Sequence, residues 1–272
     1  MDLDAIAIAL IVLVGVFAGV VNTVVGAGTS IVLPLLILLG VPELVANGTN
    51  RVCVAFQTAA AATTFHGRTG VDWRTTIAPV VASMAGSLPG AILATELDAA
   101  VFEALLGWLL LAGVAVLFIG RRPAGKRGET PANPAGPASS EGAATGEETG
   151  RARRLRPLGL LVTFGFGIYG GFVGAGIGVL YMVYLPPLLG LSLGRMVHVK
   201  TWMVLSLSVV SGIWYLAVGQ FDLTVAAALV PSYILGGVLG ARLALRSGEV
   251  WIRRAVTAVA ALLAIAVIAG VS

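Results

Sequence analysis

Ten stretches of apolar residues, separated by short polar or glycine-containing breaks, run along the chain. They lie at residues 5–25, 28–40, 45–66, 75–95, 99–119, 157–173, 177–190, 196–218, 223–243 and 254–271. Most of them are long enough to cross a hydrocarbon core of about 30 Å as a helix. Their apolar residues are continuous rather than alternating, which favours helices over a barrel. The pattern therefore predicts an all-α polytopic membrane protein.

Two of the stretches, 28–40 and 177–190, are too short to cross a membrane alone, since each would measure only about 20 Å as a helix. Each directly follows a glycine-rich turn, Gly26-Ala27-Gly28 in one case and Gly174-Ala175-Gly176 in the other. Glycine lets the chain break and reverse at such a point. We therefore predict short, broken or half-length helices after both turns.

The chain also repeats itself, because landmarks of its first half recur about 150 residues later. The matching segments are 25–28 with 173–176, 39–40 with 189–190, 71–73 with 221–223, and 86–91 with 236–241. A nearly constant spacing over successive landmarks indicates an internal repeat. We predict a first transmembrane repeat at residues 1–120 and a second one at residues 157–272.

Residues 121–156 interrupt the apolar pattern and are rich in Pro, Gly, Ala, Ser, Glu and Arg. This composition predicts a disordered linker. The segment carries eight basic and four acidic side chains, so it accounts for the whole net charge of +4. Positively charged loops of membrane proteins mark the cytoplasmic side. We therefore place this linker in the cytoplasm and expect no nucleic-acid partner.

Two topologies are compatible with the repeat. Five crossings per half give inverted repeats, whereas four crossings and a re-entrant segment per half give parallel ones. With the linker inside, the first topology also places seven arginines inside: Arg68, Arg74, Arg195, Arg242, Arg246, Arg253 and Arg254. The second topology would put the arginines of 242–254 outside, against the positive-inside rule. We therefore predict about ten spans in two inverted repeats of five, in the inner cell membrane, with both termini outside.

Composition excludes several other classes. Hydrophobic residues make up 58% of the chain and charged residues 11%, against about 25% charged residues in soluble proteins. The single cysteine, Cys53, excludes an internal disulfide, and one Cys with two His excludes a zinc-type cluster. The sequence has no nucleophile elbow, P-loop or metalloprotease motif. We therefore predict no enzymatic activity, no cofactor and no metal.

The glycine-rich turns are the first candidate site. A short helix after such a break points its N-terminal N–H groups and the positive end of its dipole at a ligand, which suits an anion. Inverted repeats with broken helices are typical of secondary transporters, whose substrates bind near the membrane midplane. The candidate residues of the two turns are Gly26, Gly28, Thr29, Gly174 and Gly176.

Two cations at similar places in the two halves, Arg51 and Lys200, are the second candidate. No Asp or Glu lies deep in any apolar stretch, and ionisable residues inside a membrane are functional by default. Side chains that could donate hydrogen bonds accompany them in the sequence: Asn47, Thr49, Asn50 and Thr201. The alternative is that both cations snorkel to the lipid headgroups.

The two histidines, His66 and His198, lie near the ends of apolar stretches. Histidine titrates near neutral pH, so either residue is a candidate for coupling transport to protons. The alternative is a simple hydrogen-bonding role at the membrane interface.

The doubled order of these motifs resembles the TauE/SafE family of membrane permeases, the sulfite exporters. The residues that carry the resemblance are 19–22, 26–28, 34–36, 46–50, Gly167, 174–176, 186–188, 200–201, 90–91 and 240–241. The resemblance implies a permease for small sulfur-containing anions such as sulfite, thiosulfate or organosulfonates, acting as an exporter without an organic cofactor. The family's three glycines are here 28–30 and 176–178, with other residues among them, so the identity of the anion stays open.

These observations together predict a secondary transporter of small anions that works by alternating access. Its partners are the anionic substrate and membrane lipid, and the sequence leaves open whether it forms a homo-oligomer. Two alternatives remain at this point. One is a passive anion channel, and the other is a non-transporting membrane sensor or assembly partner that uses the linker for docking.

Overall fold

The computed structural model describes residues 4–69, 72–98, 101 and 146–247. These residues form eight helices and no strand: α1 (Ala5–Val24), α2 (Thr29–Leu38), α3 (Glu43–Thr69), α4 (Trp73–Glu96), α5 (Gly146–Phe172), α6 (Ile177–Leu189), α7 (Leu193–Ala217) and α8 (Leu223–Arg246). The predicted all-α class is confirmed. The apolar stretches 99–119 (except Val101) and 254–271 lie outside the described residues, so the number of ten spans stays a prediction.

Four of the described helices, α1, α4, α7 and α8, are long and apolar enough to cross a membrane. Large apolar side chains cover the outer surface of the helix bundle; Leu13 is 70% exposed and Leu161 is 67% exposed. An apolar surface of this kind is stable in lipid and costly in water. The chain is therefore a multi-pass membrane protein.

The two predicted short helices are α2 and α6. Glycines with positive φ precede them, Gly26 (φ +92°) before α2 and Gly176 (φ +72°) before α6. Both helices also end at such glycines, Gly40 and Gly190. Local sequence therefore starts and stops both helices, because glycine adopts this backbone conformation without steric cost.

The linker boundary differs from the prediction, which made residues 121–156 disordered and began the second repeat at 157. The structure begins α5 at Gly146, so residues 146–156 are helical. The segment contains Glu, Arg, Ala and Leu, which favour helix, and it adjoins an apolar helix. Extending an existing helix avoids the cost of nucleating a new one. Residues 121–145 lie outside the described part of the chain.

The two halves, α1–α4 and α5–α8, exchange packing partners. Helix α1 packs along α8, and its counterpart α5 packs along α4. Small residues make both pairs close: a Cβ added at Gly19 would lie 3.0 Å from Cα of Gly236, and one added at Gly86 would lie 3.0 Å from Cα of Gly167. Each half therefore buries its small-residue faces against the other half.

The third helices of the two halves, α3 and α7, pack against each other in opposite directions. A Cβ at Gly212 would lie 3.5 Å from Val52, whereas His198 near the start of α7 contacts Phe65, with ring centroids 4.7 Å apart. Equivalent helices that pack antiparallel are related by a two-fold axis perpendicular to them. Parallel repeats would place α3 and α7 in the same direction. The packing therefore favours inverted repeats.

We expect cysteines at the starts of α3 and α7 to lie on opposite faces of the membrane. Glu43→Cys and Gly194→Cys, each in a Cys53→Ala background, place one thiol at each start, and a Cβ at Gly194 meets no neighbour within 4 Å. A membrane-impermeant maleimide applied to intact cells should label Glu43→Cys and spare Gly194→Cys. After cell lysis it should label both. Equal labelling in intact cells would contradict the inverted arrangement.

Candidate functional site

The two chain breaks meet each other. Gly26, in the break between α1 and α2, lies directly against Gly178 in the first turn of α6, and a Cβ on either residue would collide with the backbone of the other. On the other side of this contact, a Cβ at Gly176 would lie 3.8 Å from Oγ of Ser30. The N-termini of the two short helices therefore lie next to each other.

These two N-termini also lack the caps that other helices of the protein have. The helices α1, α4, α7 and α8 begin with side chains that accept a hydrogen bond from the first turn: Asp4, Asp72, Ser192 and Asp222. By contrast, α2 and α6 begin at Gly28 and Gly176 without a side-chain cap. The first N–H groups of a helix have no acceptor within it. Two positive helix ends thus meet without a side-chain acceptor, which suits an anion.

The two buried cations lie beside the C-termini of the helices that precede the breaks, α5 and α1. Arg51 on α3 donates from Nη2 to the carbonyl of Val173, just after α5 ends. Lys200 on α7 donates from Nζ to the carbonyls of Thr23 (2.8 Å) and Asn22 (3.4 Å), where α1 ends. Each cation therefore caps the C-terminus of the broken helix in the other half, where the helix dipole is negative.

Neither cation snorkels to the membrane surface. Arg51 is 1% exposed and Lys200 is 2% exposed. The buried polar residues of the described chain include these two cations but no Asp or Glu. The positive charge of this region is thus balanced by backbone carbonyls and not by carboxylates.

The structure does not bring Arg51 and Lys200 into one pocket, although the sequence suggests that they occupy similar places. Because α3 and α7 are antiparallel, Arg51 lies near the Val52–Gly212 contact and Lys200 lies near the Phe65–His198 contact. These two contacts are about 20 Å apart along the helix axis. The two cations therefore lie on opposite sides of the place where the breaks meet.

Asn47 lies one turn before Arg51 on α3 and binds the same chain break. Its Nδ2 donates to the carbonyl of Phe172 (2.7 Å) and to the hydroxyl of Tyr215 (2.9 Å). Its Oδ1 and the Nε of Arg51 are buried, and neither has a hydrogen-bond partner among the described residues. The end of α5 is thus contacted by two side chains of α3 that keep unused hydrogen-bonding capacity.

Asn50 connects α3 to the start of α2. Its Nδ2 donates to Oγ1 of Thr29 (3.3 Å), and its Oδ1 accepts from the hydroxyl of Tyr233 on α8 (2.8 Å). Asn47 and Arg51 therefore lie at the break after α5, and Asn50 lies at the start of α2.

Two other predicted residues point elsewhere. Oγ1 of Thr49 accepts from the backbone N–H of Asp222 at the start of α8 (2.9 Å). Thr201 donates to the carbonyl of Val197 in its own helix (2.8 Å). The hydroxyls of these threonines serve local structure, and neither binds a residue of the breaks.

His66 lies near the C-terminus of α3, and His198 lies near the N-terminus of α7. His66 is exposed, and His198 is partly buried against Phe65. His198 is two residues from Lys200 and far from Arg51 along the bundle. A role in proton coupling stays a prediction for both.

Several buried polar groups of the site escaped the sequence analysis. Beside Lys200, Gln57 donates to Oγ1 of Thr23 (2.9 Å) and accepts from Asn22 (2.8 Å). Beside Arg51, Tyr215 donates to the carbonyls of Gly171 and Phe172 (3.1 Å each), and Tyr169 donates to the carbonyl of Ala175 in the break. Tyrosine inside an apolar stretch is a usable signal, because a buried phenol needs a hydrogen-bond partner.

Arg51 packs directly against Gly174. We therefore expect Gly174→Ala to destabilise the protein more than the same substitution at another glycine with positive φ. Its φ is +64°, and a Cβ there would occupy the place of the guanidinium. Gly219 has a similar φ of +76° with no neighbour within 4 Å of an added Cβ. Both alanine variants should lose about 1–2 kcal/mol from the backbone conformation. Gly174→Ala should lose about 2 kcal/mol more, because Arg51 is displaced from its acceptor.

Thermal unfolding of both variants in detergent would measure this difference. Equal losses in Gly174→Ala and Gly219→Ala would contradict the contact between Arg51 and the turn.

Comparison with known proteins gives a consistent result. The family described as "Sulfite exporter TauE/SafE" matches residues 11–267. A "Probable membrane transporter protein" of Haemophilus influenzae is 28% identical over 256 residues, which cover 93% of this chain and 91% of the relative. A "Probable membrane transporter protein ORF9" of a Sinorhizobium species is 31% identical over 106 residues, 39% of this chain and 40% of the relative. No solved structure matches the chain. The chain is a membrane protein that belongs to the TauE/SafE sulfite exporter family.

Proposed function

We propose that the protein is a secondary transporter that exports small sulfur-containing anions across the cell membrane by alternating access. The observation that carries this proposal is the meeting of the two uncapped helix N-termini, at Gly28 and Gly176, between two buried cations. The sulfur-containing class and the direction of transport come from the family to which the chain belongs.

The electrostatics of the site support an anionic substrate. A buried charge without a counter-charge is costly in a membrane protein. Arg51 and Lys200 are both buried, and no acidic side chain is buried with them in the described part of the chain. An anion held at the N-termini of α2 and α6 would lower this cost. A cation or a neutral solute would not.

The hydrogen bonds of the two cations support alternating access. Arg51 joins α3 to the end of α5, and Lys200 joins α7 to the end of α1, so each contact crosses from one half to the other. The two contacts lie on opposite sides of the meeting breaks. Opening the bundle on one side would separate the first pair, and opening it on the other side would separate the second pair. The two states of such a cycle would therefore differ in which of these two equivalent contacts is separated.

Neutralising either cation should slow exchange strongly. In proteoliposomes, counterflow of labelled sulfite against unlabelled sulfite or thiosulfate measures carrier activity directly. Arg51→Gln and Lys200→Gln should each lower the exchange rate by at least about tenfold, which corresponds to about 1.4 kcal/mol. Arg242→Gln is the matched control, because Arg242 is exposed.

Retained exchange in both folded variants would contradict the proposal that Arg51 and Lys200 form part of the substrate site. No counterflow with any anion, in wild-type protein shown to be folded, would overturn the transporter itself. Flux that follows the membrane potential and shows no counterflow would identify the passive channel instead.

Deleting residues 121–145 should leave exchange within about twofold of wild type, since the described site lies wholly on α1–α8 and the turns between them. The rival view, a docking tail of a non-transporting partner, requires this segment. Loss of function in cells on deletion, together with no exchange by the wild-type protein in proteoliposomes, would support that rival, so both assays belong in the experiment.

A further inference from the structure

Two buried polar atoms beside the end of α5 have no hydrogen-bond partner among the described residues. They are Nε of Arg51 and Oδ1 of Asn47, and both belong to side chains that are at most 1% exposed. Buried polar atoms in folded proteins nearly always have a partner. Residues four apart on a helix share one face, and both side chains bind the carbonyls of 172–173. The two side chains therefore approach the same end of α5 from one face of α3.

Their hydrogen-bonding characters are opposite. Nε of Arg51 can only donate. Nδ2 of Asn47 faces the carbonyl of Phe172, which can only accept, so the orientation of this amide is fixed and its Oδ1 requires a donor. A ligand that satisfies both atoms must accept one hydrogen bond and donate another.

We propose that Asn47 and Arg51 select an anion that keeps one proton, so that the substrate is hydrogensulfite rather than fully deprotonated sulfite. An anionic oxygen accepts from Nε of Arg51, and the hydroxyl of the same anion donates to Oδ1 of Asn47. The backbone N–H of Gly176, at the uncapped start of α6, donates to a remaining oxygen. This inference rests on the proposed function, and it narrows the class of substrate.

The charge of the site agrees with a monoanion. A fully deprotonated oxyanion offers only acceptors and would place lone pairs against Oδ1 of Asn47. A dianion also costs more to remove from water than a monoanion. Among the described residues, Arg51 is the buried cation at this end of the site, because Lys200 projects from α7 near the other end of the α3–α7 contact.

The test compares sulfite with chlorate in wild-type proteoliposomes. Chlorate is pyramidal, has three oxygens and one negative charge, and carries no proton. Counterflow of labelled sulfite is measured at several pH values on both sides of the second pKa of sulfurous acid. The half-saturating concentration of total sulfite should rise in proportion as hydrogensulfite is lost, and it should stay constant when expressed as hydrogensulfite. Chlorate should compete at least about tenfold more weakly than hydrogensulfite, because it cannot donate to Asn47.

Titratable groups on the helices that surround the site are controlled in the same experiment. They come from α3, α5, α6, α7 and α8: Cys53, Tyr169, Tyr181, Tyr215, His198, Lys200 and Tyr233. The charge of chlorate does not change over this pH range. Any change of the inhibition constant of chlorate with pH therefore reports the titration of these groups. The half-saturating concentration of sulfite at each pH is divided by the inhibition constant of chlorate at the same pH.

Asn47→Leu provides an independent test, because leucine has a similar size and no acceptor. Hydrogensulfite should bind about tenfold more weakly to this variant, while the affinity for chlorate stays within about twofold. If the variant does not fold, because it also loses the bonds to Phe172 and Tyr215, the wild-type comparison decides alone.

The outcomes separate this inference from the proposed function. A half-saturating concentration of total sulfite that is independent of pH would overturn the inference and leave the transporter standing. Equal competition by chlorate, as expected if a water bridges the two atoms, would do the same. The absence of counterflow with every anion in folded protein would overturn both.

Discussion

The rest of this structure depends on the hydrogen bonds between two buried cations and backbone carbonyl oxygens. Arg51 and Lys200 have no buried carboxylate near them in the described chain, so each uses the carbonyls at the end of a broken helix. Those helices must therefore end inside the bundle, and the chain must turn there. Gly174 is required because the guanidinium occupies the space of a side chain. The breaks, the glycines and the buried cations are thus one arrangement.

This arrangement also sorts the ends of the helices by charge. The negative ends of α1 and α5 are neutralised by cations from the opposite half. The positive ends of α2 and α6 are brought together and left without side-chain caps, although long helices of the same protein have them. In the proposed function, an anion binds these backbone N–H groups, and the side chains of Asn47 and Asn50 distinguish one anion from another.

Local features of this fold could be predicted from the sequence, and features that depend on packing could not. The short helices after Gly26 and Gly176 were predictable, because glycine acts on its own segment. Arg51 and Lys200 were identifiable because charge is rare in apolar stretches. Their separation was not, since it follows from the antiparallel contact of α3 with α7. Thr49 carries no sequence signal that it would bind the start of α8. Composition also gave no sign that residues 146–156 continue the adjoining helix α5.

The exchange of partners between the halves has a consequence for the order in which the protein is made. Gly86 of α4 finds Gly167 on α5, which is the next described helix to leave the ribosome. Gly19 of α1 must wait for Gly236 on α8, the last described helix. Until α8 is made, the small-residue face of α1 therefore lacks the partner that it has in the finished protein. The bundle can close around its centre only when the second repeat has almost entirely entered the membrane.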